Sequence, residues 1–161
     1  MSLKQWGPDL WNLIHIVGKQ FPKKPTIYQK NLAYQFTKYL ALVIPCKSCQ
    51  KHYISNFAHN KPDLTSGLEF FKWTVTMHNF VNKKYKKKIY NVKQAYHSTN
   101  PISSKKLTSL LGYLYKETNN GNVSKPMLLK FIKVTNILMK NAEKNPEWGI
   151  YRDITTSKGN H

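Results

Sequence analysis

The stretch WTVTMHNFVNKK, residues 73–84, lies within an aromatic-rich helix that the sequence predicts at about Leu68–Lys86. On a helix, His78, Asn82 and Tyr85 occupy positions i, i+4 and i+7, so their side chains share one face. Burying an imidazole beside amides is costly without polar partners, so this face favours a site for a polar ligand. A single His or Asn at such a position would more often be a satisfied surface group.

Apolar residues recur at helical spacing through most of the remaining chain, with prolines and polar turns between the segments. Strand-like alternation is scarce, so the sequence predicts an all-α fold. Asn100-Pro101 indicates a boundary between a domain at 1–100 and a C-terminal helical extension at 101–161. The helices are predicted at about Pro8–Phe21, Thr26–Val43, Cys46–Ala58, Leu68–Lys86, Asn91–Tyr96, Ser103–Glu117 and Ser124–Lys144.

The extension consists mainly of the last two helical patterns, and the tail after Trp148 shows no pattern. Leucines and isoleucines form an apolar stripe along each of these helices. Such stripes fit helices packed on the preceding bundle, which is the interpretation we favour. They also fit a surface for oligomerisation or for a partner.

The composition describes a basic chain with enough apolar residues for a buried core. Hydrophobic residues make up 40% of the 161 positions, and 26 Lys and Arg against 7 acidic residues give a net charge of +19. This charge excludes an acidic solvating protein and suggests nucleic acid, a membrane surface or a phosphorylated cofactor as partner. Arg152 is the only arginine, which disfavours sequence-specific DNA recognition because arginine supplies bidentate base contacts.

Targeting and membrane segments are not expected from this sequence. Met1–Gln5 leads directly into an aromatic segment at Trp6, which leaves no room for the apolar stretch of a cleaved signal peptide. No apolar run approaches the length that spans a bilayer, so we expect no transmembrane segment.

The motif Pro-Cys-Lys-Ser-Cys at 45–49 contains both cysteines of the chain, Cys46 and Cys49. A CxxC motif at a helix start places the first sulfur at the positive end of the helix dipole, which favours the thiolate form. The spacing therefore favours a redox dithiol, although two buried thiols remain an alternative. A zinc site with His52 and His59 is disfavoured, because the Cys pair and the His pair of a zinc finger normally lie about 12 residues apart, which is not the spacing here.

Three segments occur in one order along the first hundred residues: WGPxxWxxxH at 6–15, PCxxCxxHY at 45–53, and WxxxxHNxVNKK at 73–84. This arrangement resembles the Erv/ALR family of FAD-linked sulfhydryl oxidases. The resemblance covers about residues 6–96 and implies a small four-helix bundle plus a short fifth helix that binds FAD. The two helices after residue 100 are additional to that fold.

The resemblance also implies which residues carry the chemistry. It assigns catalysis to Cys46 and Cys49, with no metal. Aromatic rings can stack on the cofactor, amides can bond its polar edges, and lysine can neutralise its pyrophosphate. The implied FAD contacts are Trp11, His15, His52, Trp73, His78, Asn79, Val81, Asn82, Lys84 and Tyr85.

The implied reaction passes electrons from a protein dithiol through Cys46–Cys49 to FAD and then to O2, which yields H2O2. Cys46 exchanges with the substrate, and Cys49 lies against the flavin. Because the sequence has no other cysteine, we expect the substrate to reach Cys46 directly, as a thioredoxin-like protein or a CxxC relay protein. The resemblance further implies a homodimer that does not require nucleic acid. It points to the host cytoplasm or virion of a large DNA virus, with the mitochondrial intermembrane space as the alternative.

The competing hypothesis is a basic nucleic-acid-binding or zinc-binding helical module. Its best feature is the run Lys83–Lys88, which only Tyr85 interrupts. Such a run is more often a solvated helix end than a binding site.

Overall fold

The computed structural model describes residues 3–144, and within that range every regular element is an α-helix. The all-α prediction is thereby confirmed. The end of the predicted extension, including the tail after Trp148, lies outside the described residues. The helices are α1 Leu3–Lys19, α2 Ile27–Val43, α3 Lys47–His59, α4 Gly67–Lys84, α5 Val92–Ser98, α6 Ser104–Asn119 and α7 Lys125–Lys144.

Polar residues at the helix starts explain most of these boundaries. Thr26 and Asn91 begin α2 and α5 with reciprocal capping boxes, in which Gln29 and Gln94 bond back to the capping residue. Ser66 and Ser103 cap α4 and α6 more simply, because each hydroxyl accepts one free N–H group of its helix without a reciprocal bond. The cap of α3 differs, because the acceptor is the sulfur of Cys46.

The predicted start of α1 at Pro8 is wrong, because the helix begins at Leu3 and Pro8 lies inside it. Trp6 is only 6% exposed, and its burial in the core holds the first turn in place before the proline. α4 also ends two residues earlier than predicted, at Lys84. Lys86 has a φ of 54°, and this left-handed conformation does not continue a helix.

Two helix pairs form the core: α1 packs against α4, and α2 packs against α7. Gly18 lets the first pair approach closely, because a Cβ atom there would lie 3.0 Å from Thr74 Cγ2. The extension contributes Leu110, Leu128 and Phe131 to the same apolar cluster as Phe36. The two parts of the chain therefore share one continuous core. None of the helices in the described residues has the length and apolarity that a membrane crossing needs.

Candidate redox and cofactor site

Cys46 and Cys49 form a disulfide at the N-terminus of α3. Cys46 is the N-cap residue in an extended conformation, and its Sγ atom lies 3.3 Å from the backbone N of Cys49. The Ser48 hydroxyl lies 3.3 Å from the same sulfur. When the disulfide is reduced, these donors and the positive end of the helix dipole stabilise negative charge on Cys46.

A cavity of about 520 Å³ lies beside this disulfide, between α1, α3, α4 and the segment after α4. Both cysteines are half-buried, but only Cys49 lines the wall of the cavity, whereas Cys46 is the N-cap residue at the end of α3. The two cysteines therefore have different surroundings. The other lining residues are Trp6, Gly7, Pro8, Leu10, Trp11, Ile14, Ile44, His52, Tyr53, His78, Val81, Asn82, Lys84, Tyr85, Lys87, Lys88 and Tyr90.

An aromatic pair forms one wall of the cavity. The rings of Trp11 and His78 are stacked, with centroids 4.4 Å apart and planes 5° from parallel. The close crossing of α1 and α4 brings together these two side chains, which belong to residues 67 positions apart in the sequence. The pair presents a rigid flat surface to the cavity, suited to an aromatic ligand.

A chain of hydrogen bonds behind this wall determines the tautomers of two histidines. The Thr74 hydroxyl donates to the carbonyl of Phe71 at 2.7 Å, so its oxygen accepts from His15 Nδ1–H at 2.9 Å. His15 Nε2 is then an acceptor and receives the Nδ1–H of His78, also at 2.9 Å. It follows that Nε2 of His78 carries a lone pair and can accept a hydrogen bond from a ligand.

Burial keeps the histidines of this site neutral. Burial, and next the charge of His78, lowers the pKa of His15 to about 3. Burial, and next the charge of Lys87, lowers the pKa of His78 to about 4. Burial and the nearby Lys84 also lower the pKa of His52. The hydrogen-bond chain independently requires His15 to be neutral, since its Nε2 accepts from His78 and an imidazolium has no acceptor nitrogen.

Asn79 anchors the segment that follows α4. Its Nδ2 donates to the carbonyl of Tyr90 at 2.7 Å, and its Oδ1 accepts from the Tyr90 N–H at 3.1 Å. This two-point contact holds the segment 85–91 against the helix. Lys87, Lys88 and Tyr90 thereby become part of the cavity wall.

The structure brings seven of the ten predicted FAD contacts to the cavity and leaves three of them elsewhere. Trp11, His52, His78, Val81, Asn82, Lys84 and Tyr85 line it together with Cys49. His15 and Asn79 line a smaller cavity of about 190 Å³, which Trp11 and His78 also line. Trp73 is 6% exposed, lies outside both linings, and donates its indole N–H to the carbonyl of Asn60 at 2.8 Å.

Ten of the lining residues were not among the predicted site residues, and five of these ten are aromatic or basic: Trp6, Tyr53, Lys87, Lys88 and Tyr90. Trp6 belonged to a quoted motif, and the two lysines belonged to the basic run that we considered a solvated helix end. Tyr90 has no distinguishing neighbours in the sequence, and its hydrogen bonds with Asn79 help to bring it to the site. Within residues 3–144 no cluster of His, Cys, Asp and Glu could hold a metal ion, so the zinc alternative is not supported.

A helical bundle that presents a CxxC disulfide to an aromatic and basic cavity defines a class: small helical dithiol redox proteins with an adjoining cofactor pocket. The chain belongs to the Erv1/Alr family, whose model matches residues 8–102.

Several relatives support this membership. A mitochondrial FAD-linked sulfhydryl oxidase of Saccharomyces cerevisiae is 34% identical over 53% of this chain and 46% of its own length. An FAD-linked sulfhydryl oxidase of African swine fever virus is 33% identical over 52% of this chain and 71% of its own. The crystal structure of the FAD-binding domain of yeast Erv1 has a TM-score of 0.59 at 30% identity, covering 62% of this chain and 94% of that one.

The chain thus spans about half the length of its yeast relative and most of its viral one. The matched region ends before α6, so α6 and α7 lie outside it.

Proposed function

We propose that this chain is an FAD-linked sulfhydryl oxidase that forms disulfide bonds in protein thiols. The observation that carries the proposal is the division of roles within one CxxC motif. Cys49 lines a cavity of cofactor size, while Cys46 lies at the helix end that a substrate can reach. The names of the yeast and viral relatives support the same activity.

The cavity suits FAD in size and in chemistry. Its volume of about 520 Å³ falls within the range typical of small-molecule sites. Trp11 and His78 provide an aromatic face, and His78 Nε2 provides an acceptor. Lys84, Lys87 and Lys88 provide positive charge that a pyrophosphate would neutralise. We propose all the sequence-predicted contacts that line this cavity as FAD-binding residues.

His15 and Asn79 would position other residues of the cofactor site and would not contact FAD directly. His15 holds the tautomer of His78, and Asn79 holds the segment that carries Lys87 and Lys88. For Trp73 a direct contact with FAD stays a prediction from the resemblance. When bound, FAD supplies a two-electron acceptor that O2 can reoxidise with formation of H2O2.

The cysteines carry out thiol–disulfide exchange with the substrate. A substrate thiolate attacks Cys46 Sγ, the Cys46–Cys49 bond breaks, and Cys49 leaves as a thiolate. The second substrate thiolate then attacks the substrate sulfur of the mixed disulfide and displaces Cys46. The substrate loses two electrons and becomes a disulfide, and the CxxC gains them as a dithiol. The Cys49 N–H stabilises the Cys46 thiolate that is released.

The remaining assignments extend this proposal. We propose residues 1–100 as the cofactor-binding unit and 101–161 as an extension that stabilises it. The substrate class is a thioredoxin-like or CxxC-bearing protein, and a homodimer is the proposed state. The viral relatives support the cytoplasm or virion of a large DNA virus as location, with the mitochondrial intermembrane space as the alternative.

A visible spectrum and an oxygen electrode test the proposed activity. The purified protein should show flavin absorbance that bleaches when dithiothreitol is added without air, and it should consume O2 when air is present. Cys49→Ser and Cys46→Ser should each reduce O2 consumption to the uncatalysed background.

Ser55→Ala is the matched control, because Ser55 is an exposed residue of the same helix α3 and should leave turnover unchanged. A folded protein without flavin absorbance, or one in which Cys49→Ser still turns over, would contradict the proposal.

A further inference from the structure

We propose that the turn between α6 and α7 positions the redox motif, and that Gln50 transmits this effect. Gln50 directly follows Cys49 in α3 and is 5% exposed. The turn belongs to the extension, outside the residues that the family model matches. The proposal rests on the proposed function, in which the Cys46–Cys49 dithiol is the group that exchanges with the substrate.

The contacts of Gln50 join three separate parts of the fold. Its Nε2 donates to the carbonyl of Ile44, just before the CxxC motif, at 2.6 Å. The same nitrogen donates to the carbonyl of Asn122 in the α6–α7 turn at 2.7 Å. Both hydrogens of one buried amide are therefore used, and each holds a backbone carbonyl.

The turn is itself held in place, so it can act as a fixed support. Asn122 Nδ2 donates to a carboxylate oxygen of Glu117 at 2.7 Å, and the Asn122 N–H donates to the Glu117 carbonyl at 3.1 Å. The Ser124 N–H donates to the carbonyl of Leu42 at the end of α2, at 3.0 Å. Val123, between them, is 4% exposed.

The carbonyl of Ile44 connects this support to the reactive sulfur. Besides Gln50, it accepts the backbone N–H of Cys46 at 2.9 Å. The position of the Cys46 backbone decides whether its Sγ remains 3.3 Å from the N–H of Cys49. Because that donor stabilises the Cys46 thiolate, a displaced Ile44 carbonyl weakens the reduced state relative to the disulfide.

Gln50→Met tests the proposal, because methionine has a similar length and shape but no donor. Full-length protein is equilibrated without air in buffers of glutathione and glutathione disulfide, and the reduced fraction is measured by thiol alkylation. The equilibrium constant for reduction of Cys46–Cys49 should fall by about 2- to 10-fold, the effect of losing the one hydrogen bond from the Cys49 N–H to the Cys46 thiolate. The alkylation rate of Cys46 at fixed pH should fall with it.

Ser103→Ala is the matched control, because Ser103 caps α6 far along the chain from the α6–α7 turn. It weakens the extension by about 1 kcal/mol, the typical value of an N-cap, without touching Gln50. Its reduction constant should equal that of the unmodified chain. An equal shift in both variants would mean that general destabilisation, not positioning, is responsible, and would overturn the proposal.

Glu117→Ala provides a second variant should Gln50→Met fold poorly. Glu117 is half-buried and anchors Asn122 from the far side of the turn, so its loss should shift the constant in the same direction by a smaller factor. No shift in either folded variant refutes the positioning role. A chain without flavin would refute the proposed oxidase but leave this glutathione measurement valid, so the two failures are distinguishable.

Discussion

Thr74 is a small residue with a large influence on the candidate site. Its hydroxyl has one hydrogen, which goes to the Phe71 carbonyl, and this leaves only an acceptor for His15. The direction of every following hydrogen bond in the chain is then determined, down to the lone pair on His78. A ligand at this wall therefore meets an acceptor and not a donor.

The buried histidines predict a loss of stability in mild acid. The folded-state pKa values of His15 and His78 are about 3 and 4, below the ordinary value of 6.5. Between the folded-state pKa values and 6.5, the unfolded chain thus binds more protons than the folded chain. The contribution of these two histidines to stability is therefore fully present above pH 6.5 and falls as the pH drops below that value. At pH 5 each histidine should lower the free energy of unfolding by on the order of 2 kcal/mol.

Urea unfolding at pH 7.5 and pH 5 measures this difference. His78→Phe should reduce the pH dependence by about half, since it removes one of two titrating groups and keeps a ring against Trp11. Ser55→Ala serves as control, because Ser55 is exposed and carries no group that titrates in this range, so its replacement should leave the dependence unchanged. Equal unfolding free energies at the two pH values would show that the histidines are not buried as neutral groups.

At the scale of elements, the end of α4 places the basic segment at the cavity. The N–H of Lys87 bonds to the carbonyl of Asn82 at 2.8 Å, and that of Lys86 bonds to Lys83 at 3.2 Å. This pattern closes a helix with one residue in the left-handed conformation, a position that usually holds glycine. Here Lys86 takes it, with a φ of 54°.

Lys86→Gly should therefore stabilise the fold. The left-handed conformation costs a residue with a Cβ about 1 kcal/mol, which glycine does not incur. The melting temperature should rise by about 2–4 °C in a thermal scan. Lys83→Gly, three residues earlier and still inside the exposed face of α4, should lower it by a similar amount. A fall in both variants would mean that Lys86 makes compensating contacts.

At the scale of the whole molecule, the extension is part of the core. The rings of Phe131 in α7 and Phe36 in α2 are stacked with centroids 5.1 Å apart, and both are fully buried. Electrostatics contributes little to this cohesion. The Lys72–Glu69 ion pair at 3.2 Å is exposed, and such a pair contributes less than about 1 kcal/mol.

Phe131→Ala should destabilise the cofactor-binding bundle as well as the extension. Removing a buried phenylalanine costs about 3–5 kcal/mol, a large share of the total stability of a domain. Urea unfolding followed by circular dichroism and by flavin fluorescence should show one transition at a lower midpoint. Leu129→Ala, on the exposed side of α7, should change the free energy by less than about 0.5 kcal/mol. Two separate transitions would show that the extension folds independently.

Sequence reasoning located the helices because apolar spacing repeats with the period of the helix. It misplaced the start of α1, since burial of Trp6 outweighs the preference of Pro8 for a first turn. For the site, it named Cys49, Trp11, His78 and the lysine at 84, all of which line one cavity. Tyr90 and Gln50 were missed, because their roles depend on hydrogen bonds to backbone or side-chain groups of other segments, which leave no local pattern.

The sequence by itself determined the all-α class, the CxxC chemistry and the family resemblance, because helix periodicity and motif spacing are local properties of the chain. Only the tertiary structure decided which way the Thr74–His15–His78 hydrogen bonds run, that Tyr90 lines the cavity, and that the α6–α7 turn contacts Gln50. These features depend on the packing of α1 on α4 and of α7 on α2. Contacts between segments many residues apart are set by the shape of the packed core, which no local spacing encodes.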